Sequence, residues 1–372
     1  MPADWLRVFE AALPRMCADL EALVSMESPS DDASRVSALA AWIRERLRQR
    51  GVRAESRPCP PRGDAVLAGV GGAPGTLILG HLDTVWPVGA LAEQPFRIQA
   101  DVATGPGVFD MKAGIAVAMA ALEAVAREPP PPAATLLLLP DEEVGTEASR
   151  ELLLEEARRH RQVLVLEPSL DGAAKVARKG TGLFEVAFTG RAAHAGLEPE
   201  LGASALAELA RLVLFADGLG SSELGTTVTP TVAQAGSKTN VVPEKAALSI
   251  DVRVWSKDEA ERVERDLRGY VSSDPRVGIA VRGGFDRPPM EATPASEALY
   301  GKAKAIAHDL GFELGAARVG GASDGNLTAA AGIPTLDGLG PCGGGAHARN
   351  EFVVIPDLPR RAALLTRLIL ET

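Results

Sequence analysis

Four short apolar runs constrain the fold of this chain more than any other feature of its sequence. They are AVLAGV, TLILG, TLLLLP and VLVLEP, at residues 65–70, 76–80, 135–140 and 163–168. Nearly continuous apolar runs are typical of strands that are buried on both faces, as in parallel sheets covered by helices. Helical patterns at 112–127 and roughly 147–160 separate these runs. The sequence therefore predicts an α/β domain with a mostly parallel mixed sheet and flanking helices.

From residue 174 onward, apolar and polar residues alternate instead of forming continuous apolar runs. Strand patterns lie at 183–190, 247–254 and 277–283, and helical patterns lie at 203–217 and 256–271. A strand that alternates in this way has one buried and one exposed face. The content of the segment, which is similar to a β-α-β-β-α-β unit, indicates a compact two-layer α+β insert of the ferredoxin-like type.

The length of the chain predicts more than one domain. It contains 372 residues, which exceeds the length at which a single core usually stops growing. After the alternating segment, FDRPPM at 285–290 reads as a hinge, and later helical patterns resume the first domain. We therefore predict a discontinuous catalytic domain of residues 1–173 and 288–372, with a second domain of residues 174–287 inserted into it.

Composition excludes several classes of partner and site. The chain has 39 basic and 49 acidic residues and a net charge of −10, which argues against nucleic acid, because phosphate binding needs clustered Lys and Arg. No apolar span reaches 18 residues and the start lacks a signal-peptide pattern, so we expect no membrane association and a cytoplasmic location. Cys17, Cys59 and Cys342 form no CxxC pair, so neither a disulfide framework nor a thiolate zinc site is expected.

Two motifs combine histidine or aspartate with the ends of predicted elements. GHLDTV (80–85) follows an apolar strand, so His81 and Asp83 share one side of an extended segment. A metal-binding histidine needs an acceptor for its second ring nitrogen, which Asp83 can supply; the alternative is a polar turn at a strand end. TGPGVFDMKAG (104–114) crowds three glycines around Asp110, which is either a ligand or simply a helix cap.

Three more candidate residues and a possible base follow predicted strands or glycine runs. Glu142 and Glu143 come directly after TLLLLPD, and because adjacent side chains diverge, one can bind metal while the other faces a water as general base. A solvated acidic loop is the alternative. Glu167 ends the run VLVLEP, and GGGAHARNEF delivers His347. Nitrogen and oxygen ligands without thiolate suit zinc, with cobalt or manganese as replacements.

Five motifs in one order, GHLDTV, GVFDMKAG, DEEVG, LEP and AHARNE, resemble the zinc exopeptidase and deacylase family. That family includes glutamate carboxypeptidase, succinyl-diaminopimelate desuccinylase, acetylornithine deacetylase and aminoacylase. The resemblance covers nearly the whole chain, including the inserted domain. The glutamate carboxypeptidase branch looks closest, through GRAAHAG (190–196), PELGASAL (199–206) and GGASDGN (320–326).

The resemblance implies two Zn²⁺ per subunit and five protein ligands. These are His81, Asp110, Glu143, Glu167 and His347. Asp110 would bridge the two metals. His81 and Glu167 would complete one site, and Glu143 and His347 would complete the other.

The resemblance also assigns roles to residues that do not bind metal. Asp83 would orient the histidine beside it, and Glu142 would be the general base and later the proton donor. In the inserted domain, His194 would stabilise the oxyanion at the metal site of a partner subunit. Asn240 and Arg253 would hold the free carboxylate of the substrate, for which a planar guanidinium is well suited.

The activity that follows is hydrolysis of an amide next to a free carboxylate, as in glutamate carboxypeptidases. The substrate would be a small molecule or short peptide, and the inserted domain would act as a lid and form a homodimer. Three alternatives stay open from the sequence: an N-acyl-amino-acid deacylase of the acetylornithine or aminoacylase kind, a di- or tripeptide aminopeptidase, and an inactive homologue that acts as a binding protein.

Overall fold

A computed structural model describes residues 4–72 and 74–371 of the chain. The chain folds into two compact units. The first unit comprises Met1–Val176, Ala292–Arg318 and Ser323–Thr372, and the second comprises Ala177–Glu291 and Val319–Ala322. The sequence places the domain boundaries at 173/174 and 287/288, whereas the structure also groups the short segment 319–322 with the second unit.

The first unit is built around a six-stranded sheet. In order across the sheet, the strands are β1 (Arg53–Pro58), β2 (Asp64–Val70), β6 (Ala134–Leu139), β3 (Thr76–His81), β7 (Gln162–Val165) and β14 (Thr335–Leu336). Strands β1, β2 and β6 pair antiparallel, whereas β6, β3, β7 and β14 pair parallel. The predicted mostly parallel mixed sheet is confirmed.

Helices cover both faces of this sheet. They are α1 (Trp5–Ser25), α2 (Ala33–Gln49), α3 (Ala90–Glu93), α4 (Ala113–Ala126), α5 (Arg150–Arg158), α8 (Pro294–Asp309), α9 (Asp324–Ala330) and α10 (Asp357–Leu370). In β3, Ile78 belongs to a core formed with α1, α2, α4, α8 and α10. Leu77 and Leu79 belong to a second core, formed with α5 and α9. Burial on both faces explains why TLILG shows no alternation. In the described parts of the chain, no helix combines the length and hydropathy that a membrane span requires.

A small antiparallel sheet in the first unit is absent from the sequence prediction. Its order is β15 (Gly343–Gly344), β16 (Phe352–Val354), β5 (Val102–Thr104) and β4 (Arg97–Gln99). Strands of two or three residues are too short to show a period, so the sequence could not reveal them. In this sheet Phe352 of β16 pairs with Thr104 of β5. The pairing places the loop that contains His347 beside the segment that contains Asp110.

The second unit is an antiparallel four-stranded sheet with two helices. Across the sheet the order is β10 (Thr227–Ala235), β11 (Lys245–Val254), β9 (Gly180–Thr189) and β12 (Gly278–Arg287). The helices are α6 (Ala205–Asp217) and α7 (Lys257–Arg268). The chain order β9-α6-β10-β11-α7-β12 confirms the predicted two-layer insert. The boundary between the units falls within β8 (Ala174–Arg178) and β13 (Ala316–Val319), which pair with each other.

The segment 285–290, which the sequence analysis predicts to be a hinge, begins as part of a strand. Strand β12 continues through this segment, with Phe285 opposite Gly182 and Arg287 opposite Thr181. The Phe285 ring packs edge-on against Phe184 at 5.8 Å between centroids. This aromatic contact and the pairing with β9 keep β12 extended up to the residue before the prolines.

Candidate metal centre

Three neighbouring parallel strands deliver polar side chains to one edge of the six-stranded sheet. His81 is the last residue of β3, and the turn of Glu142–Val144 follows β6. Glu167 comes two residues after β7. Because the strands are parallel, their carboxyl ends share one edge, which is where open α/β sheets usually bind ligands.

His81 is buried and lies between two carboxylates. Its Nε2 atom is 3.2 Å from Oδ1 of Asp110 and 3.4 Å from Oε1 of Glu167. Its Nδ1 atom lies 2.9 Å from the backbone carbonyl of Asp83 and 3.5 Å from the carboxylate of the same residue. The nearer acceptor for Nδ1 is therefore the carbonyl, which leaves Nε2 facing the acidic groups.

The carboxylate of Asp83 has a further set of contacts, which the sequence did not suggest. It is fully buried, at 0% exposure. It accepts hydrogen bonds from the Ser30 hydroxyl at 2.7 Å and from the backbone N–H groups of Glu142 at 3.1 Å and Glu143 at 3.2 Å. Asp83 therefore fixes the turn that carries the two adjacent acids.

His347 contacts the same acidic centre from the loop between β15 and β16. Its Nε2 atom lies 3.3 Å from Oδ2 of Asp110 and 3.2 Å from Oε1 of Glu143. Its backbone adopts a positive φ of 63°, a region that few non-glycine residues occupy. Asp110 therefore presents one carboxylate oxygen to each of two imidazoles.

The electrostatics of this cluster reflect its density of carboxylates. Burial alone would lower the pKa of His81, but its hydrogen bonds with Asp110, Asp83 and Glu167 hold that pKa well above its ordinary value. Hydrogen bonds with Asp110 and Glu143 raise the pKa of His347 to about 10. Burial opposes ionisation of Asp110, yet its bonds with the two histidines lower the pKa of its carboxyl. The carboxylates therefore stabilise positive charge at the position between the two histidines.

The donor set fits divalent cations. Ligand atoms of His81, Asp110 and Glu143 all lie within 4.8 Å of one another. The Oε1 atom of Glu143 is buried beside the imidazole of His347, 3.2 Å from its Nε2, and a buried carboxylate is costly unless a positive charge faces it. With Glu167 and His347 at the distances given above, the structure brings together all five residues that the sequence analysis named as ligands.

The three candidate residues of the inserted segment all lie in the second unit. His194 is exposed, and its Nδ1 accepts the N–H groups of Gly196 at 3.2 Å and Leu197 at 3.1 Å. Its backbone forms a bridge with Val241, which is the residue after Asn240, so the structure brings these two loops together.

Arg253 lies apart from that pair. It sits near the far end of β11 and opposite Thr181, whereas the loop of Asn240 precedes Lys245 at the near end of the strand. Its guanidinium binds Asp251 through Nε at 2.9 Å and Nη2 at 2.8 Å. The sequence analysis did not anticipate this ion pair.

One buried acid at the centre was missed. Glu351 is 2% exposed, and its Oε1 accepts the N–H groups of Phe109 at 2.9 Å and Asp110 at 3.0 Å. Its Oε2 accepts the N–H of Gly107 at 2.9 Å and the indole N–H of Trp86 at 2.8 Å. The available signal was a lone acid that follows a glycine-rich loop and directly precedes the apolar strand β16.

Comparison with known proteins agrees with this geometry. The sequence pattern of Peptidase family M20/M25/M40 matches residues 77–371. The chain is also 33% identical to carboxypeptidase G2 of Pseudomonas sp. (strain RS-16), over 98% of this chain and 91% of that protein. The chain belongs to peptidase family M20/M25/M40. The resemblance inferred from the five motifs is confirmed, and the chain is a hydrolase of a metallopeptidase family.

Solved structures share the fold of this M20/M25/M40 family member. Aminopeptidase PepT of Bacillus cereus superposes with a TM-score of 0.83 at 20% identity, covering 96% of this chain and 98% of that one. A tripeptidase of Staphylococcus aureus superposes with a TM-score of 0.79 at 20% identity, covering 96% and 97%. At this identity the likeness establishes the fold alone.

Proposed function

We propose that this M20/M25/M40 peptidase is a two-zinc hydrolase that cleaves an amide next to a free carboxylate, in the manner of a glutamate carboxypeptidase. The observation that carries the proposal is the placement of Asp110. Its Oδ1 lies 3.2 Å from the Nε2 of His81 and its Oδ2 lies 3.3 Å from the Nε2 of His347. A carboxylate that faces two nitrogen donors in this way is suited to bridge two cations.

Five side chains would hold the cations. His81 and Glu167 would complete one site, Glu143 and His347 the other, and Asp110 would belong to both. When bound, two zinc ions, or cobalt or manganese in their place, make a water molecule more acidic and stabilise the negative charge that develops on a carbonyl oxygen.

Proton transfer is the task of Glu142. Its backbone N–H is held by the buried carboxylate of Asp83 at 3.1 Å, so the turn that carries the side chain is fixed at the edge of the sheet. In the proposed reaction Glu142 removes a proton from the attacking water and then delivers it to the leaving nitrogen. The neighbouring Glu143 takes the separate task of a ligand.

Recognition of the substrate carboxylate is assigned to Arg253. The bonds to Asp251 use Nε and Nη2, so Nη1 can bind a second carboxylate. The ion pair also restricts the guanidinium to one orientation, and a preorganised fork loses less entropy when it binds a ligand. Asn240 and His194 lie at the other end of this unit and would contact a substrate bound to the partner subunit.

The distance along β11 indicates that one active site uses residues of two chains. From Lys245 to Arg253 the strand covers about 26 Å at roughly 3.3 Å per residue. His194 and Asn240 lie beyond the Lys245 end, so a small substrate cannot contact them and Arg253 of the same chain. If all three residues act on one substrate, a homodimer through the inserted domain must supply them.

Hydrolysis rates on paired substrates test this proposal. N-benzoyl-glutamate and its α-amide differ only in the free carboxylate, and we expect the amide to lose at least about 30-fold in kcat/KM, corresponding to about 2 kcal/mol of lost recognition. In Arg253→Ala the two substrates should become equally poor. Equal rates on both substrates in the wild-type protein would refute the role of Arg253. N-acetyl-ornithine and unblocked tripeptides as parallel substrates distinguish deacylase and aminopeptidase activities.

A further inference from the structure

We propose that Glu351 is a positioning residue, whose carboxylate joins the metal-binding loops into one rigid frame. This inference rests on the proposed two-metal function. It concerns a residue that would touch neither metal nor substrate. The three joined segments are 83–86, 107–110 and 347–351.

The two carboxylate oxygens of Glu351 accept hydrogen bonds from two of these segments. Oε1 binds the N–H groups of Phe109 and Asp110, and Oε2 binds the N–H of Gly107 together with the indole of Trp86. All four distances lie between 2.8 and 3.0 Å, which is within the range of well-formed N–H···O hydrogen bonds. Successive backbone N–H groups that converge on an anion form a nest, which here encloses a side chain of the same protein.

The backbone of Gly107 permits this close approach. Its φ is +69°, and a β-carbon at this position would lie 2.6 Å from Cγ2 of Thr84. Only glycine therefore lets the 107–110 segment turn towards Glu351 while it packs on the loop that follows Asp83. Beside the carboxylate, Phe352 pairs with Thr104, so the backbone on either side of the nest is also held.

The contacts of Asp110 link this frame to the metal ligands. The N–H of Asp110 is bound by Glu351, and its carboxylate oxygens face His81 and His347. His347 itself lies on the same loop as Glu351. One buried carboxylate therefore holds both the proposed bridging ligand and the loop that supplies the last histidine. Mutation of residues that hold ligands in this way typically lowers metal affinity by about 10- to 100-fold.

Zinc release measured with a chromophoric chelator tests the proposal on the zinc-loaded protein. Glu351→Gln keeps the size of the side chain but places an amide NH₂ against two N–H donors. Glu351→Asp keeps the charge but withdraws the carboxylate by about one methylene. We expect both variants to release zinc about 10- to 100-fold faster than the wild type. The visible absorption of their Co²⁺-loaded forms should also change, because the ligand geometry changes.

Glu27→Gln is the matched control. Glu27 also accepts two backbone N–H groups, from Gly89 and Leu91, each at 2.9 Å, but it binds no segment that carries a proposed ligand. Its variant should release zinc at the wild-type rate and keep the wild-type Co²⁺ spectrum.

The outcomes separate this inference from the proposed function. A wild-type protein that binds no zinc refutes the two-metal function itself. If the wild type binds two zinc ions while both Glu351 variants release them at its rate with its Co²⁺ spectrum, the positioning role alone is wrong. The role is equally wrong if neither Glu351 variant folds, because the carboxylate would then support the fold as a whole.

Discussion

At the scale of single residues, adjacent acids occupy different surroundings. Glu143 has a side chain that is 7% exposed and lies 3.2 Å from a histidine nitrogen, and burial raises the pKa of its carboxyl. Glu142 is half-buried. Both backbone N–H groups bind one carboxylate, that of Asp83, which keeps the turn rigid while the side chains diverge. This difference in surroundings supports the proposal that Glu143 is a ligand and Glu142 the proton carrier.

Exchange of each acid for its amide should separate the two roles. In Glu142→Gln we expect both zinc ions to remain, while kcat falls by about 100- to 10,000-fold, because the general base is lost. Metal content by atomic absorption and kcat on N-benzoyl-glutamate are the measurements. Glu143→Gln serves as the comparison and should lose zinc as well as activity. A Glu142→Gln protein with wild-type turnover would contradict the assignment of the base.

At the scale of elements, helix α4 packs closely against the segment that ends in Glu167. Every residue from Ala113 to Val125 is buried, so the helix is enclosed by the core. At its first turn, a β-carbon on Gly114 would lie 2.3 Å from the backbone carbonyl of Leu166. The glycine therefore allows α4 to sit directly against the segment that ends in Glu167, and it links the packing of the helix to the position of that carboxylate.

A pair of glycine substitutions tests this contact. Gly114→Ala should lower the free energy of unfolding by about 1–3 kcal/mol, because the helix must move away from a backbone atom that cannot yield. Gly301→Ala is the matched control, since Gly301 lies within α8 with no atom within 4 Å of an added β-carbon. It should raise the free energy of unfolding by about 0.5–1 kcal/mol. Urea denaturation measures both, and equal effects would show that α4 packs less tightly than described.

At the scale of the whole molecule, the residues proposed to act in catalysis are divided between the two units. The five proposed ligands lie in the first unit, and His194, Asn240 and Arg253 lie in the second. Within the second unit the length of β11 separates His194 from Arg253. The proposal of a shared active site in a homodimer follows from this separation.

Mixing two inactive variants tests the shared site. His194→Ala and Arg253→Ala should each be nearly inactive as pure dimers while retaining zinc. After subunit exchange, each mixed dimer would contain one intact site, so the activity should recover to about one quarter of the wild-type value. A mixture of wild type with the double variant His194→Ala/Arg253→Ala is the control for exchange. If the two single variants stay inactive together although exchange occurs, both residues act within one chain.

The sequence alone predicted the fold class and the five residues proposed as ligands, for a physical reason. Strands buried on both faces must be apolar throughout, so a charged residue at the end of such a run is conspicuous, as at His81 and Glu167. The predicted ends of the long helices agree with the structure within a few residues, because the 3.6-residue period extends over several turns in α4 and α6.

Only the tertiary structure decided how these groups meet. Asp83 holds the turn of Glu142 through contacts between residues about 60 positions apart, and Glu351 holds a segment more than 240 positions away. Neither contact has a local period, and the small sheet that brings Glu351 to Asp110 consists of strands of two or three residues. The pairing of Arg253 with Asp251 is local, but alternation places both residues on one strand face with Lys245 and Ser249 and does not show which side chains pair. Burial of an element produces a periodic pattern of apolar residues in the sequence. A hydrogen bond between distant loops produces no such pattern, because it depends on the folded geometry.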